Sequence, residues 1–316
     1  MAEKIKLGVS QCLLGERVRY DGQHKLDRFI TETLGRYFEF VPICPEVECG
    51  LPVPREAMRL VGDPESPRLM TQRTGVDLTD QMMRWVRRRV AELEKEDLCG
   101  YIFKSKSPSS GMERVKVYNG HGGLSGRAPG MFAKAFMAHF PLLPVEDEGR
   151  LNDPDLRENF IERVFTLKRY RDCIRPKVQI KALMKFHEEH KFLVQAHSVE
   201  KARVMGRLLG QAGRKGAADA CRQYEALLLE TLKLKATVKK HTNILDHMLG
   251  HFKDLLSTDE KREMKKLIQA YYNELVPLIV PVTMFQHYVR KYEVPWLKDQ
   301  VYLAPHPLEL KLRNHA

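Results

Sequence analysis

Three short segments hold the residue types that can do chemistry. The first is Ser10-Gln11-Cys12-Leu13-Leu14-Gly15, continuing through Arg19, Tyr20, Asp21 and Gly22. The second runs Cys44-Pro45-Glu46-Val47-Glu48-Cys49-Gly50-Leu51-Pro52-Val53-Pro54-Arg55, and the third Lys104-Ser105-Lys106-Ser107-Pro108-Ser109-Ser110-Gly111. Each is rich in Gly, Pro and small polar residues, which let a backbone come close to a ligand and expose polar groups to it. Cysteines far apart in sequence can meet in space, and soft thiolates select zinc, copper(I) or iron–sulfur clusters. No paired Cys-x-x-Cys demands zinc. The residues alone point to a cysteine-ligated metal, and no further.

These segments need elements to position them. Ile5–Ser10 reads as a strand, Leu26–Tyr37 as a helix, and Phe38–Ile43 as a second strand ending at Cys44. Leu78–Glu96 reads as a long amphipathic helix carrying Arg84, Arg87, Arg88 and Arg89. Gly100–Lys104 reads as a strand, Met131–His139 as a helix and Leu142–Val145 as a further strand. Strands alternating with helices predict an α/β domain with a mainly parallel, Rossmann-like sheet. Ligands of such sheets sit beyond the carboxyl ends of the strands, where the three segments would converge. The acidic stretch Glu146–Gly149 reads as a connector, and Asp153-Pro154 as a helix start. Beyond it the periodicity is helical, with helices expected at 154–174, 177–197, 199–212, 217–235, 238–256, 258–274 and 281–292. Ser257 with Glu260 makes a capping box. The chain divides on this reading into an α/β domain, 1–148, and an all-α bundle, 149–316.

The chain has 316 residues and a net charge of +12, unevenly placed. Residues 1–150 hold 23 Lys/Arg against 21 Asp/Glu, and residues 151–316 hold 30 against 20. A basic half beside a nearly neutral one suggests a domain for chemistry and a domain for a polyanion. No apolar run reaches the roughly 20 residues of a membrane-spanning helix, so no membrane partner is expected. Met1–Ser10 lacks the features of a signal peptide, so a cytoplasmic location with reduced cysteines is expected.

The three segments resemble the thiouracil desulfidase family, whose pattern runs S-x-C-L-L-G, C-P-E-x-x-x-G-L-P-x-P-R and S-P-S-C-G. The likeness covers most of residues 1–145. It implies a 4Fe–4S cluster held by three cysteines with one iron free of protein ligands. Carried over by position, the ligand places are Cys12, Cys44 and Ser110, the catalytic acid/base is Glu46, and the catalytic serine is Ser107. The implied reaction is a non-redox exchange of sulfur for oxygen. On that resemblance the open iron would act as a Lewis acid toward the thiocarbonyl sulfur, Glu46 would deprotonate the attacking water, and Ser107 would relay a proton. The bland counterparts are a loop carboxylate for Glu46 and a turn residue before Pro108 for Ser107. Arg19, Arg55, Lys104 and Lys106 are candidates for a substrate phosphate, or ordinary loop charges.

Ser110 is the departure, since the pattern has cysteine there and a hydroxyl is a poor substitute for thiolate on iron. Three accounts stand: an engineered disabling change, a natural loss, or replacement of the ligand by Cys49 or Cys99. The first is favoured because everything around Ser110 is intact, and cluster binding by this chain is expected to be impaired.

The second half resembles the YbgA-type helical domain. The resemblance rests on Phe186-His187-Glu188-Glu189-His190-Lys191 with Ala196-His197, on His241 to Lys253, and on Val276 to Pro281 with His287-Tyr288. Chains joining the two domains resemble tRNA 4-thiouridine desulfidases, which implies tRNA containing 4-thiouridine as partner and substrate. Free thiouracil-type bases are the alternative substrate, and non-catalytic RNA binding the alternative role. His247 and His251 lie one helical turn apart, and His187 and His190 are near neighbours. A metal there would lack nameable third and fourth ligands, and buried hydrogen bonds or RNA contacts are the preferred roles.

Overall fold

The computed structural model describes residues 4–176 and 178–314. The chain separates into two compact units, Met1–Asp153 and Pro154–Ala316.

In the first unit β1 (Ile5–Ser10) is almost wholly buried, as a central strand covered on both faces must be. It pairs in parallel with β2 (Phe38–Ile43), which leads into the one-turn helix α1 (Pro45–Glu48). Then come β3 (Met58–Val61), β4 (Arg68–Thr71), α2 (Thr79–Leu93), β5 (Tyr101–Phe103), β6 (Val115–Tyr118), β7 (Leu124–Ala128), α3 (Met131–His139) and β8 (Val145–Asp147). The main sheet has the order β2-β1-β5-β8 and is parallel throughout. Its strand order reverses between β1 and β5, and that switch opens a crevice at their carboxyl ends. Met82, Trp85, Val86 and Val90 on one stripe of α2 are buried, as are Phe132 and Phe136 of α3. The rings of Tyr101, Phe103, Phe132 and Phe136 pack together with centroids 4.2–6.2 Å apart. Gly8 makes room for them, because a Cβ there would lie 2.3 Å from the Tyr101 ring.

A second sheet, β4-β3-β6-β7, was not legible in the sequence. Its strands are short, and charged residues interrupt their apolar alternation. Two expectations also shift. Residues 26–37 form a π-turn, Phe29–Thr33, and a 3₁₀ turn, Leu34–Arg36, in place of one α-helix. The Asp27 carboxylate accepts from Ile30 N at 3.1 Å and so starts the turn late, while Thr31, Thr33 and Gly35 are weak helix formers. The strand expected at 142–145 begins at Val145, since Pro144 has no N–H to donate. Glu146 and Asp147 are therefore buried strand residues instead of a connector.

The second unit is helical: α4 (Pro154–Ile174), α5 (Ile180–His197), α6 (Val199–Lys215), α7 (Ala217–Leu232), α8 (Val238–His251), α9 (Thr258–Tyr272), α10 (Ile279–Lys291) and the short α11 (Pro295–Lys298). The start expected at 177 falls on a residue outside those described, and 178 and 179 are not helical. The helices expected to run to 235 and 256 stop at Leu232 and His251. The Ser257–Glu260 capping box forms with both hydrogen bonds. α5 serves two cores, with Leu183, Phe186 and Val194 packed among α4, α6 and α7, and Phe192, Leu193 and Ala196 among α8, α9 and α10. No helix among the described residues is long and apolar enough to cross a membrane.

A charged network is buried in this unit. Glu162 takes a 2.6 Å hydrogen bond from His197 and lies 3.4 Å from Arg313, which also reaches Glu158 at 3.3 Å. Burial alone would raise the Glu162 pKa, but His197 and Arg313 outweigh it and hold the carboxyl at about 2. Burial pushes His190 and His241 down to about 3 and His306 to about 4. The unfolded chain therefore binds protons that the folded chain refuses. The histidines' contribution is complete above about pH 6.5 and is lost as pH falls toward 4 and 3; that of Glu162 follows between 4.5 and 2. Glu158, raised by burial to about 7, works the other way, with stability that is full below 4.5 and lost through pH 7. Three histidines outnumber one carboxyl. The urea midpoint read from helical circular dichroism should fall between pH 7.5 and pH 5; a midpoint that rises would show the histidines are not buried neutral.

Candidate active site

Loops from the carboxyl ends of β1, β2 and β5 meet around a cavity of about 430 Å³. Cys12, Cys44, Glu46, Ser107 and Ser110 line it, with Arg19, Arg55, Lys104 and Lys106. Every residue singled out from the three segments by position thus reaches one wall or another. Cys12 sits in a 3₁₀ turn, Gln11–Leu14, closed by Gly15 at φ 94°. Cys44 precedes α1, and Glu46 lies in its first turn.

Glu46 is 8% exposed, and a buried carboxylate must be paired or hydrogen-bonded. Ser109 Oγ donates to Oε1 at 2.5 Å, Cys44 Sγ lies 3.4 Å from Oε2, and the Arg55 guanidinium is 3.8 Å away. Ser107 Oγ accepts from Ser109 N at 3.3 Å and Ser110 N at 3.1 Å, and lies 3.0 Å from Ser109 Oγ. With both lone pairs of Ser107 filled by backbone, its own proton points at Ser109. The hydroxyls line up from Ser107 through Ser109 to the carboxylate. Ser109, wholly buried, is the residue that sequence reasoning missed, although it is the third letter of the third motif.

The cations differ in availability. Lys104 is committed to Glu148 and to Ser105, so it is not a free phosphate ligand. Arg19 is paired with Asp21 at 3.2 Å, and Arg55 also donates to Val18 O at 3.0 Å. Lys106 is exposed and has φ 60°.

The donor set decides what metal the site can take. Burial pushes the Cys12 thiol up to about 11 and that of Cys44 to about 12, so metal binding here must displace two protons. The third position is the Ser110 hydroxyl, 3% exposed. Cys49 does not line the cavity; it caps the end of α1, its Sγ 3.2 Å from Glu46 O. Cys99 is buried before β5, its N–H bonded to Lys6 O near the start of β1, at the opposite end of the sheet. Neither lines the cavity wall with Cys12, Cys44 and Ser110. Two thiols and a hydroxyl do not fit a cluster held by three thiolates.

Residues 7–148 match the family model described as 2-thiouracil desulfurase. The first domain belongs to that family. Residues 191–307 match a family described as a protein of unknown function, DUF1722. An Escherichia coli K-12 protein described as uncharacterized protein YbgA is 28% identical over 134 residues, 42% of this chain and 79% of its own length. A solved structure described as the [4Fe-4S]-dependent thiouracil desulfidase TudS is 29% identical, covering 48% of this chain and 95% of its own, with a TM-score of 0.38.

Of the histidines singled out in the helical unit, His187, His190 and His251 have contacts of another kind. His190 bonds Phe186 O at 2.8 Å and lies 3.2 Å from Arg169 Nε, and His187 lies 3.0 Å from the Tyr224 hydroxyl. His251 packs 4.7 Å from the Trp296 ring, one turn beyond His247 on α8. Among the described residues no group of three or more His, Cys, Asp or Glu could hold a metal ion.

The hydroxyl chain gives two tests. In a double-mutant cycle, Ser107→Ala and Ser109→Ala should each cost about 1–3 kcal/mol of unfolding free energy. Their effects should couple by at least about 0.5 kcal/mol, while strict additivity would mean the serines act separately. Gly130→Ala places a Cβ 2.6 Å from the Ser109 backbone, so it should lower the urea midpoint of the first unit by about 3 kcal/mol equivalent.

Proposed function

We propose that the site is that of a desulfidase acting on 4-thiouridine in tRNA, exchanging the sulfur at the ring carbon for oxygen. The observation that carries this reading is the buried Glu46 carboxylate, anchored by Ser109 and Ser107 and placed beside Cys44 on the wall of a cavity large enough for a base. Glu46 takes a proton from a water that attacks the thiocarbonyl carbon. Ser109 and Ser107 hold that carboxylate in place and offer the proton a path along the cavity wall. Water supplies the oxygen, sulfur departs as hydrosulfide, and no oxidant or reductant is needed. Arg55, close to Glu46, balances its charge while the site is dry.

The relative described as [4Fe-4S]-dependent carries a cofactor for which this chain offers Cys12 and Cys44 and lacks the third thiolate. On this reading Ser110 disables the site, and position 110 is where a 4Fe–4S cluster would be completed. The helical part, 149–316, is assigned to RNA: the excess of 30 Lys/Arg over 20 Asp/Glu in residues 151–316 suits a partner whose phosphates release counterions. A 4-thiouridine held in folded tRNA would be extruded to reach the cavity. A second reading rests on Ser110 itself: a chain that binds RNA and leaves the base unchanged.

Ser110→Cys separates the two. After anaerobic reconstitution, the cysteine variant should gain about four irons per chain, as the resemblance implies, and bleach the 4-thiouridine absorbance of bulk tRNA. The serine chain should do neither to a comparable extent. If both stay iron-free and inert, the desulfidase reading fails for this chain and RNA binding without chemistry takes its place.

A further inference from the structure

Beside the candidate site lies a second, larger hollow of about 690 Å³. It shares Met58, Gln72, Ser105, Lys106 and Pro108 with the first cavity, so the two are continuous over one rim. Its floor is the outer face of the second sheet. Val115 and Val117 of β6 are buried, and the alternation of the strand turns Lys116 and Tyr118 outward. Lys116 is directly opposite Arg127 of β7. On its other side β3 runs parallel with Leu60 beside Val117, which sets Arg59 next to Lys116. Arg59 in turn pairs with Met70. Three cations therefore stand side by side across three neighbouring strands.

Like charges directly opposite each other on a sheet are destabilising, and a fold normally relieves them with interleaved acids. Here it does not. The hollow is lined by two acids, Glu113 and Asp147. Arg150 bonds Glu113 at 3.2 Å and Glu146 at 2.6 Å, and Arg114 reaches Glu113 at 4.0 Å. Arg59, Lys106, Lys116 and Arg127 form no ion pair among the described residues, and the buried Arg59 Nε has no hydrogen-bond partner. The Arg59 guanidinium lies over the Tyr118 ring, 5.5 Å from its centroid. This concentration occurs in a unit whose first 150 residues carry 23 cations and 21 anions, so it is not the spill of a generally basic surface.

We propose that this row is a phosphate-binding track for the RNA strand that carries the thiolated base. The proposal rests on the RNA reading of the function and adds to it that the desulfidase unit itself grips the substrate. With the base in the smaller cavity, the flanking backbone passes over Lys106 and lies along Arg59, Lys116 and Arg127. Repulsion among the three is relieved by the phosphates they neutralise.

The test uses the full chain and a fluorescein-labelled RNA oligonucleotide of about a dozen nucleotides with a single 4-thiouridine, followed by anisotropy across a salt series. Lys116→Glu should weaken binding at least about tenfold, because it removes one phosphate contact and ties up Arg127. The slope of log affinity against log salt should shrink by about 1.4, two phosphate contacts on a single strand. Thermal unfolding of the same variant should be unchanged or higher, since a like-charge pair becomes an opposite one, and Lys116→Arg should bind as the parent does. If Lys116→Glu binds with the parent's affinity and slope, the track is overturned while the RNA reading stands. If the parent chain shows no salt-dependent binding, the RNA reading and the track fall together.

Discussion

A buried carboxylate has to be satisfied where it is buried, and in this protein that requirement falls on Glu46. Its partners come from separate parts of the chain: Cys44 beside it, Arg55 from the loop beyond α1, and Ser109 from the loop after β5. Holding that one group therefore clamps the second and third segments together at the crevice where the strand order reverses. Ser107 extends the clamp by accepting the backbone N–H groups of Ser109 and Ser110. Gly130 and Gly111 let the surrounding chain close on this loop, each so near backbone that a Cβ would not fit.

The same clamp explains why Ser110 matters without disturbing the fold. Its backbone N–H is committed to Ser107 and its side chain is buried at the cavity wall, so a serine or a cysteine is held in the same place. What changes is donor chemistry. A hydroxyl leaves two thiols, each pushed up by burial, to meet any soft metal without a third. The loop is held the same way with either side chain, and only the ligand set departs from the motif pattern.

The two units solve the problem of charge in different ways. The helical unit buries Glu162, His197 and Arg313 together, each satisfied by the others, so that a charged group sits in the core at moderate cost. The second sheet of the first unit does the reverse and sets Lys116 and Arg127, both exposed, beside the half-buried Arg59 with no ion-pair partner for any of the three among the described residues. The first arrangement is complete in itself. The second is completed by something anionic.

The sequence by itself determined the α/β-then-α organisation, because periods of two and 3.6 are local properties of apolar spacing. β1 and β2 were legible to the residue, as was the capping box at Ser257, and the three motif segments identified Cys12, Cys44, Glu46, Ser107 and Ser110 through resemblance. Tertiary structure decided the rest. Only strand pairing brings Ser109 onto Glu46 across 63 residues, and only the loop after β8 shows Lys104 occupied by Glu148. The four-stranded second sheet escaped notice because its strands are four or five residues long and each carries a charged residue, so pairing instead of propensity makes them strands. The row of Arg59, Lys116 and Arg127 is likewise invisible along the chain. Its members lie 57 and 11 residues apart, and become neighbours only because a sheet sets its strands less than about 5 Å from one another.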